Sequence, residues 1–329
     1  MIAYIIRRLI LAILTIWAIT VLSFVIIQLP PGDYVTSYIA SMSSSGILVT
    51  ESEAQALRIQ YGLDQPIYVQ YFKWMGMIAQ GRFGMAIEWG RPVLDVIGDR
   101  LTLTIVISLA AIIFTWVLAL PIGIYSAVRR YSIGDYIATL IGFIGLAIPG
   151  FMLALIVMYI GFKYFNASIG GLFSAEMANA PWGWAKFVDL LKHLPVVAIV
   201  LGIGGTAQMI RIMRSNLLDE LRKPYVMTAR ARGLSEMRVI MKYPVRVALN
   251  PFVSTLGYLF PYVVSGSIIV SMVLSLPTVG PMLYHALIAQ DVFLAGTIVL
   301  MLGVMTVVGT FISDLLLMWI DPRIRFEKQ

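Results

Sequence analysis

The sequence predicts an all-α polytopic membrane protein with six transmembrane helices and both termini cytoplasmic, and three observations carry that reading. Of 329 residues, 60% are apolar and 12% charged. That is about half the charge of a soluble globular chain, too little to build a hydrated surface. Apolar runs long enough to span a bilayer, which takes about 20 residues, recur six times along the chain. Lys and Arg crowd into alternate connections, as in chains whose basic loops stay cytosolic.

Each element follows in order. The run Leu9–Leu29 comes after Arg7-Arg8 but is too long for a signal-peptide core. No small-residue cleavage site precedes Pro30-Pro31, so residues 1–30 read as an uncleaved first helix. Residues 31–100 form an extracytoplasmic loop subdomain, with an amphipathic helix predicted over Pro66–Ala79 and a turn region from Gly81 to Gly90. Residues 101–329 form the membrane core, whose spans are predicted at Leu101–Val128, Tyr136–Phe162, Leu194–Met213, Pro251–Leu276 and Val292–Ile320. Between the third and fourth spans, Lys163–His193 is a second outer loop, with Trp182 and Trp184 at headgroup level. With the N-terminus inside, the cytosolic segments hold 16 basic and seven acidic residues, net +9. The outer segments hold 8 basic and 10 acidic residues, net −2.

The cytosolic stretch 214–250 carries the strongest local signals. Pro224 suits the first position of a helix and Gly233 a left-handed end, which bounds a helix of about nine residues, Pro224–Arg232. Ser235 caps a second helix through Glu236-Met237-Arg238, which Pro244 stops. Tyr225, Thr228, Ala229 and Arg232 stand at i, i+3, i+4 and i+7, so the spacing places an aromatic, two small residues and a cation on one face. Such a face fits a groove on another protein. A basic loop resting on anionic headgroups is the competing reading, and spacing alone does not separate the two.

Met227-Thr228-Ala229, three further residues and Gly233 resemble the EAA loop of the membrane subunits of binding-protein-dependent ABC importers. Further landmarks resemble the dipeptide and oligopeptide permease family over essentially the whole chain. They are Tyr61-Gly62-Leu63-Asp64-Gln65-Pro66, Gly81-Arg82-Phe83-Gly84, Arg91-Pro92-Val93, Pro149, Tyr225 to Leu234, and Pro277 to Gly280. The resemblance implies a type I ABC importer permease fold in a bacterial or archaeal cytoplasmic (inner) membrane. It also implies partners: a second similar permease, two cytosolic ATPases that hold ATP and Mg, an extracytoplasmic solute-binding protein and membrane lipid, with no nucleic acid. On the same ground Tyr225, Met227, Thr228, Ala229, Arg232 and Gly233 are the expected coupling residues. Where the family carries an acidic residue in the fifth span this chain has Ser271, followed by Pro277-Thr278. Leu276 to Pro281 is closer to members that serve oligosaccharides, so peptide and oligosaccharide both stay open.

Other chemistries are poorly served. With no cysteine, the chain has no disulfide, thiolate metal site or cysteine nucleophile, and with His193 and His285 as its only histidines it offers little to a proton-transfer centre. The first five spans carry no internal Asp, Glu, Lys or His, which disfavours an ion-coupled secondary carrier. Gly-Lys never occurs, so no phosphate loop exists and the energy comes from a partner. The chain is therefore expected to be non-catalytic and to bind no cofactor of its own. Pro149 and Pro261 are candidate hinges, together with Pro121, and Ser271 a candidate pathway residue.

Overall fold

A computed structural model describes residues 2–44, 49–166, 169–255 and 268–320. Among these the chain is mostly helical and divides into two compact units, 1–103 with 278–305, and 104–277 with 306–329. Four described helices are long and apolar enough to cross a membrane: 6–28, 93–128, 184–220 and 292–319. A fifth crossing is a broken one, 133–147 followed by 150–165, bent by 101°.

In the first unit, α1 (Ile2–Gln28) leads through α2 (Tyr34–Ser44) and α3 (Glu51–Tyr61) to α4 (Ile67–Ala79). Thr50 and Glu53 form a capping box that starts α3, and Gly62 ends it in the left-handed conformation, φ 69°. Pro66 caps α4, so the helix predicted over Pro66–Ala79 is present. Trp74 on α4 is fully buried and stacks on Phe24 of α1 at 5.6 Å. The turn region holds a two-stranded antiparallel ladder, β1 (Met85–Ala86) with β2 (Arg91–Pro92), a small departure from an all-helical expectation. Residues 278–305 join this unit through Asp291, which accepts the amide hydrogens of Ile87 (2.7 Å) and Leu294 (3.0 Å).

In the second unit the helices run longer than the apolar runs that predicted them. The helix α5 (Val93–Val128), which begins in the first unit, starts eight residues before Leu101 and passes Pro121 without a break. The third crossing, predicted as one span over Tyr136–Phe162, is two helices, α6 (Ile133–Ala147) and α7 (Gly150–Phe165). Pro149 lies at the corner with extended backbone, φ −57° and ψ 136°, because a proline restricts its predecessor and donates no amide hydrogen. The fourth, α8 (Trp184–Glu220), starts ten residues before Leu194 and ends seven after Met213, so Trp184 is its first residue and Arg214 belongs to the helix rather than to the loop.

Three short helices follow, α9 (Pro224–Ala231), α10 (Glu236–Lys242) and α11 (Pro244–Ser254). Pro244 both stops α10, as predicted, and opens α11. Of the predicted fifth span, residues 256–267 lie outside the described residues; α12 (Ile268–Val273) is its described end. Then come α13 (Val279–Ile288) and α14 (Val292–Ile320), the latter with the predicted bounds. In the second unit α5 and α8 meet at Gly202, whose carbonyl accepts the Thr115 hydroxyl hydrogen at 3.1 Å. Small residues at such crossings let helix backbones pack where no hydrophobic effect drives them together.

Candidate functional site

The stretch after α8 folds as a self-contained two-helix element with two different sides. Lys223 enters with extended backbone, Pro224 occupies the first helical turn, and Gly233 ends α9 at φ 73°, as the sequence predicts. Val226 and Ala229 of α9 are buried against Val239 of α10, with Leu234 and Tyr243 closing the cluster. Arg230 clasps Glu236 through two hydrogen bonds, 2.6 and 3.1 Å, and holds its carboxyl below the usual carboxylate range.

This geometry corrects the predicted face. Ala229 is 5% exposed and turned inward, so it does not share an open surface with Tyr225, Thr228 and Arg232. Its small side chain lets α9 lie close to α10. Exposed around this core are Tyr225, Met227 and Thr228 of α9, Arg232 just after it, and Met237 and Met241 of α10. Met227 and Met237 are 64% and 72% exposed, which leaves two large apolar side chains open to a partner. Tyr225 donates its hydroxyl hydrogen to Glu220 at the end of α8, and the Thr228 hydroxyl bonds back to the Pro224 carbonyl at 3.0 Å.

Behind the element lies the core of the second unit. Ile240 of α10 joins Met209, Met213 and Leu217 of α8 and Val245, Ala248 and Phe252 of α11 in one buried cluster. A displacement of α9 therefore meets Val239, and the adjacent Ile240 meets α8: the element is wedged to the membrane helix.

Sequence reading missed the ion pair beside it. Asp135 is 2% exposed and accepts two hydrogen bonds from Arg214, each 2.8 Å. Asp135 also accepts the Tyr131 amide hydrogen at 2.9 Å, while the Ser132 hydroxyl caps its own amide. The Ser-x-x-Asp spacing at 132–135 was the available signal for the cap, but nothing local pointed to a partner 79 residues away.

The candidate hinge and pathway residues are placed in part. Pro149 forms the corner described above, and at the adjacent Gly150 an added Cβ would lie 3.2 Å from Val270, so α7 abuts α12. Ser271 on α12 is 1% exposed, and its hydroxyl has no hydrogen-bond partner among the described residues. Pro261 lies outside the described residues.

Residues 119–326 match the family described as binding-protein-dependent transport system inner membrane component, and residues 1–110 match its N-terminal companion. The chain is 36% identical to the oligopeptide transport system permease protein AppB of Bacillus subtilis, over 99% of this chain and 100% of that protein. It is 32% identical to the inner membrane ABC transporter permease protein YejB of Escherichia coli O157:H7, over 99% of each. With the dipeptide transport system permease protein DppB of Escherichia coli K12 it shares 30% identity over the full length of both.

Proposed function

The chain belongs to the family of binding-protein-dependent transport system inner membrane components, as a non-catalytic multi-pass subunit, and from that premise we propose that it forms half of the pathway of an ATP-driven peptide importer. The other half is a second permease of similar fold, and an extracytoplasmic binding protein delivers the solute. Two cytosolic ATPases hold ATP and Mg, for which this chain has no phosphate loop. The relatives that are oligopeptide and dipeptide permeases favour peptide over oligosaccharide.

One observation supports the coupling role best. The two-helix element is apolar and basic on its open side and wedged into the α8 core on its other side. A cleft on an ATPase that grips Tyr225, Met227, Thr228 and Arg232 holds a lever whose other end is a membrane helix. Buried Val226, Ala229 and Val239 hold α9 against α10 across the turn at Gly233, so closure of the ATPases moves the pair as one body and turns the pathway from outward to inward access.

The test replaces Met227 and Met237 by Asp in the reconstituted complex. Both side chains are exposed, so thermal unfolding of the subunit should be unchanged, while loss of a central apolar anchor is expected to weaken ATPase retention by about thirtyfold. Unaltered retention and unaltered ATP-driven uptake would overturn the coupling role. A thermal-shift screen of the partner binding protein against peptides and oligosaccharides decides the solute class.

A further inference from the structure

A basic cavity of about 1020 Å³ opens in the second unit between α6 and the cytosolic half of α8. Its lining includes Arg130, Arg211, Arg214 and Arg222, set against Asp219. Among the described residues Arg214 is neutralised by Asp135, while Arg211 and Arg222 face no carboxylate within salt-bridge distance. Arg211 lies over the Phe143 ring, 5.9 Å from its centre, which orients a weakly hydrated guanidinium without consuming its charge. A second observation points the same way. Asn216, also in the lining, buries its side-chain amide nitrogen with no acceptor among the described residues. A donor so placed is expensive unless an oxygen of a ligand meets it.

Gln208 and Ser215 of α8 add polar groups to the lining, while the α6 wall is apolar apart from Thr139. Ala138, Gly142, Phe143 and Leu146 of α6 line it, and the neighbouring Leu140 and Ile141 are about 60% and 59% exposed. The arginines stand where the predicted topology puts the cytosolic leaflet surface, and basic pockets between membrane helices on that side suit acidic headgroups. The volume is also well beyond what a single phosphate fills. We propose that this cavity is a binding site for an acidic phospholipid, its phosphodiester oxygens meeting Arg211, Arg222 and the Asn216 amide and its acyl chains lying along α6. The site is independent of the coupling element, whose open residues take no part in it.

The experiment uses the whole transporter complex in nanodiscs, with lipid retention read by native mass spectrometry. With phosphatidylglycerol the wild type is expected to retain lipid that it does not retain with phosphatidylcholine. Arg211→Gln with Arg222→Gln is expected to weaken that retention by about thirtyfold, the loss of two basic contacts at an acidic surface, while Arg211→Lys with Arg222→Lys keeps most of it. Equal retention by wild type and the Gln pair, at equal unfolding temperature, overturns the proposal. If the Gln pair does not fold, Arg222→Gln alone, on an exposed side chain, is expected to lose about fivefold; no loss overturns the proposal. Two further arms separate the sources of an oxyanion. Stabilisation by inorganic phosphate in phosphatidylcholine discs equal to that by phosphatidylglycerol would assign the site to free phosphate. Displacement of lipid by a peptide with a free but not an amidated C-terminus would assign it to the transported solute. Either result overturns the lipid assignment.

Discussion

At the residue scale, glycines at two places carry different physics. Gly233 adopts φ 73° with nothing within 4 Å of an added Cβ, so Gly233→Ala meets only backbone strain, roughly 1–2 kcal/mol. An added Cβ at Gly202 would lie 2.8 Å from the Phe114 ring and 3.1 Å from the Ala111 carbonyl oxygen. Removing a helix-interior glycine ordinarily gains about 1 kcal/mol, but overpacking costs about 1–3 kcal/mol, so Gly202→Ala is expected to be a net loss. Both variants should unfold at lower temperature in detergent, and a rise for Gly202→Ala would show that the α5–α8 crossing relaxes freely. Asp291 makes a pH-dependent contribution. Burial, opposed in part by the Leu294 and Ile87 amides, pushes its carboxyl up to about 6 from an ordinary 3.8. Because the folded value is the higher one, its stabilising contribution is complete below about pH 4 and lost as pH rises through about 6. The stability of Asp291→Asn relative to wild type should therefore climb across that window in thermal melts, and a flat difference would assign the slope to another group.

At the scale of elements, the pair Asp135–Arg214 joins the start of α6 to the end of α8 within the second unit. Arg214→Gln leaves a carboxylate that is 2% exposed without its cation, a loss of about 3 kcal/mol or more. Adding Asp135→Asn removes the stranded charge, so the double variant is expected to recover part of that loss in a double-mutant cycle of unfolding free energies. Additive losses would mean that the two residues stabilise the helices separately. The element α9–α10 obeys a different balance. Its Arg230–Glu236 clasp is half exposed and worth a few tenths of a kcal/mol, whereas Val226, Ala229 and Val239 close its core. Hydrophobic contact rather than charge therefore keeps its shape. The loop's predicted helix bounds, from Pro224 to Gly233, were legible because proline and glycine act locally. The inward turn of Ala229 was not, because the face a helix buries depends on what packs against it.

At the scale of the whole molecule, topology is the quantity to measure. The absence of cysteine makes single-cysteine labelling clean. Tyr68→Cys and Met237→Cys, on side chains 66% and 72% exposed, are expected to react with an impermeant maleimide from opposite sides of the membrane. Labelling of both from one side would overturn the predicted arrangement with both termini inside. Composition, apolar runs and charge placement by themselves determined the class, the approximate position of the apolar crossings, the helix α14 to its end residues, and the proline and glycine that bound α9. These follow from costs each segment bears alone: the length of an apolar run, the missing amide of proline, the left-handed backbone of glycine. Only the tertiary structure decided that the third crossing breaks by 101° at Pro149 and that α8 extends past both of its predicted ends. It likewise assigned residues 278–305 to the unit of the first loop and paired Asp135 with Arg214. Those outcomes rest on contacts between segments far apart in the chain, and a contact energy belongs to a pair, which no single stretch of sequence contains.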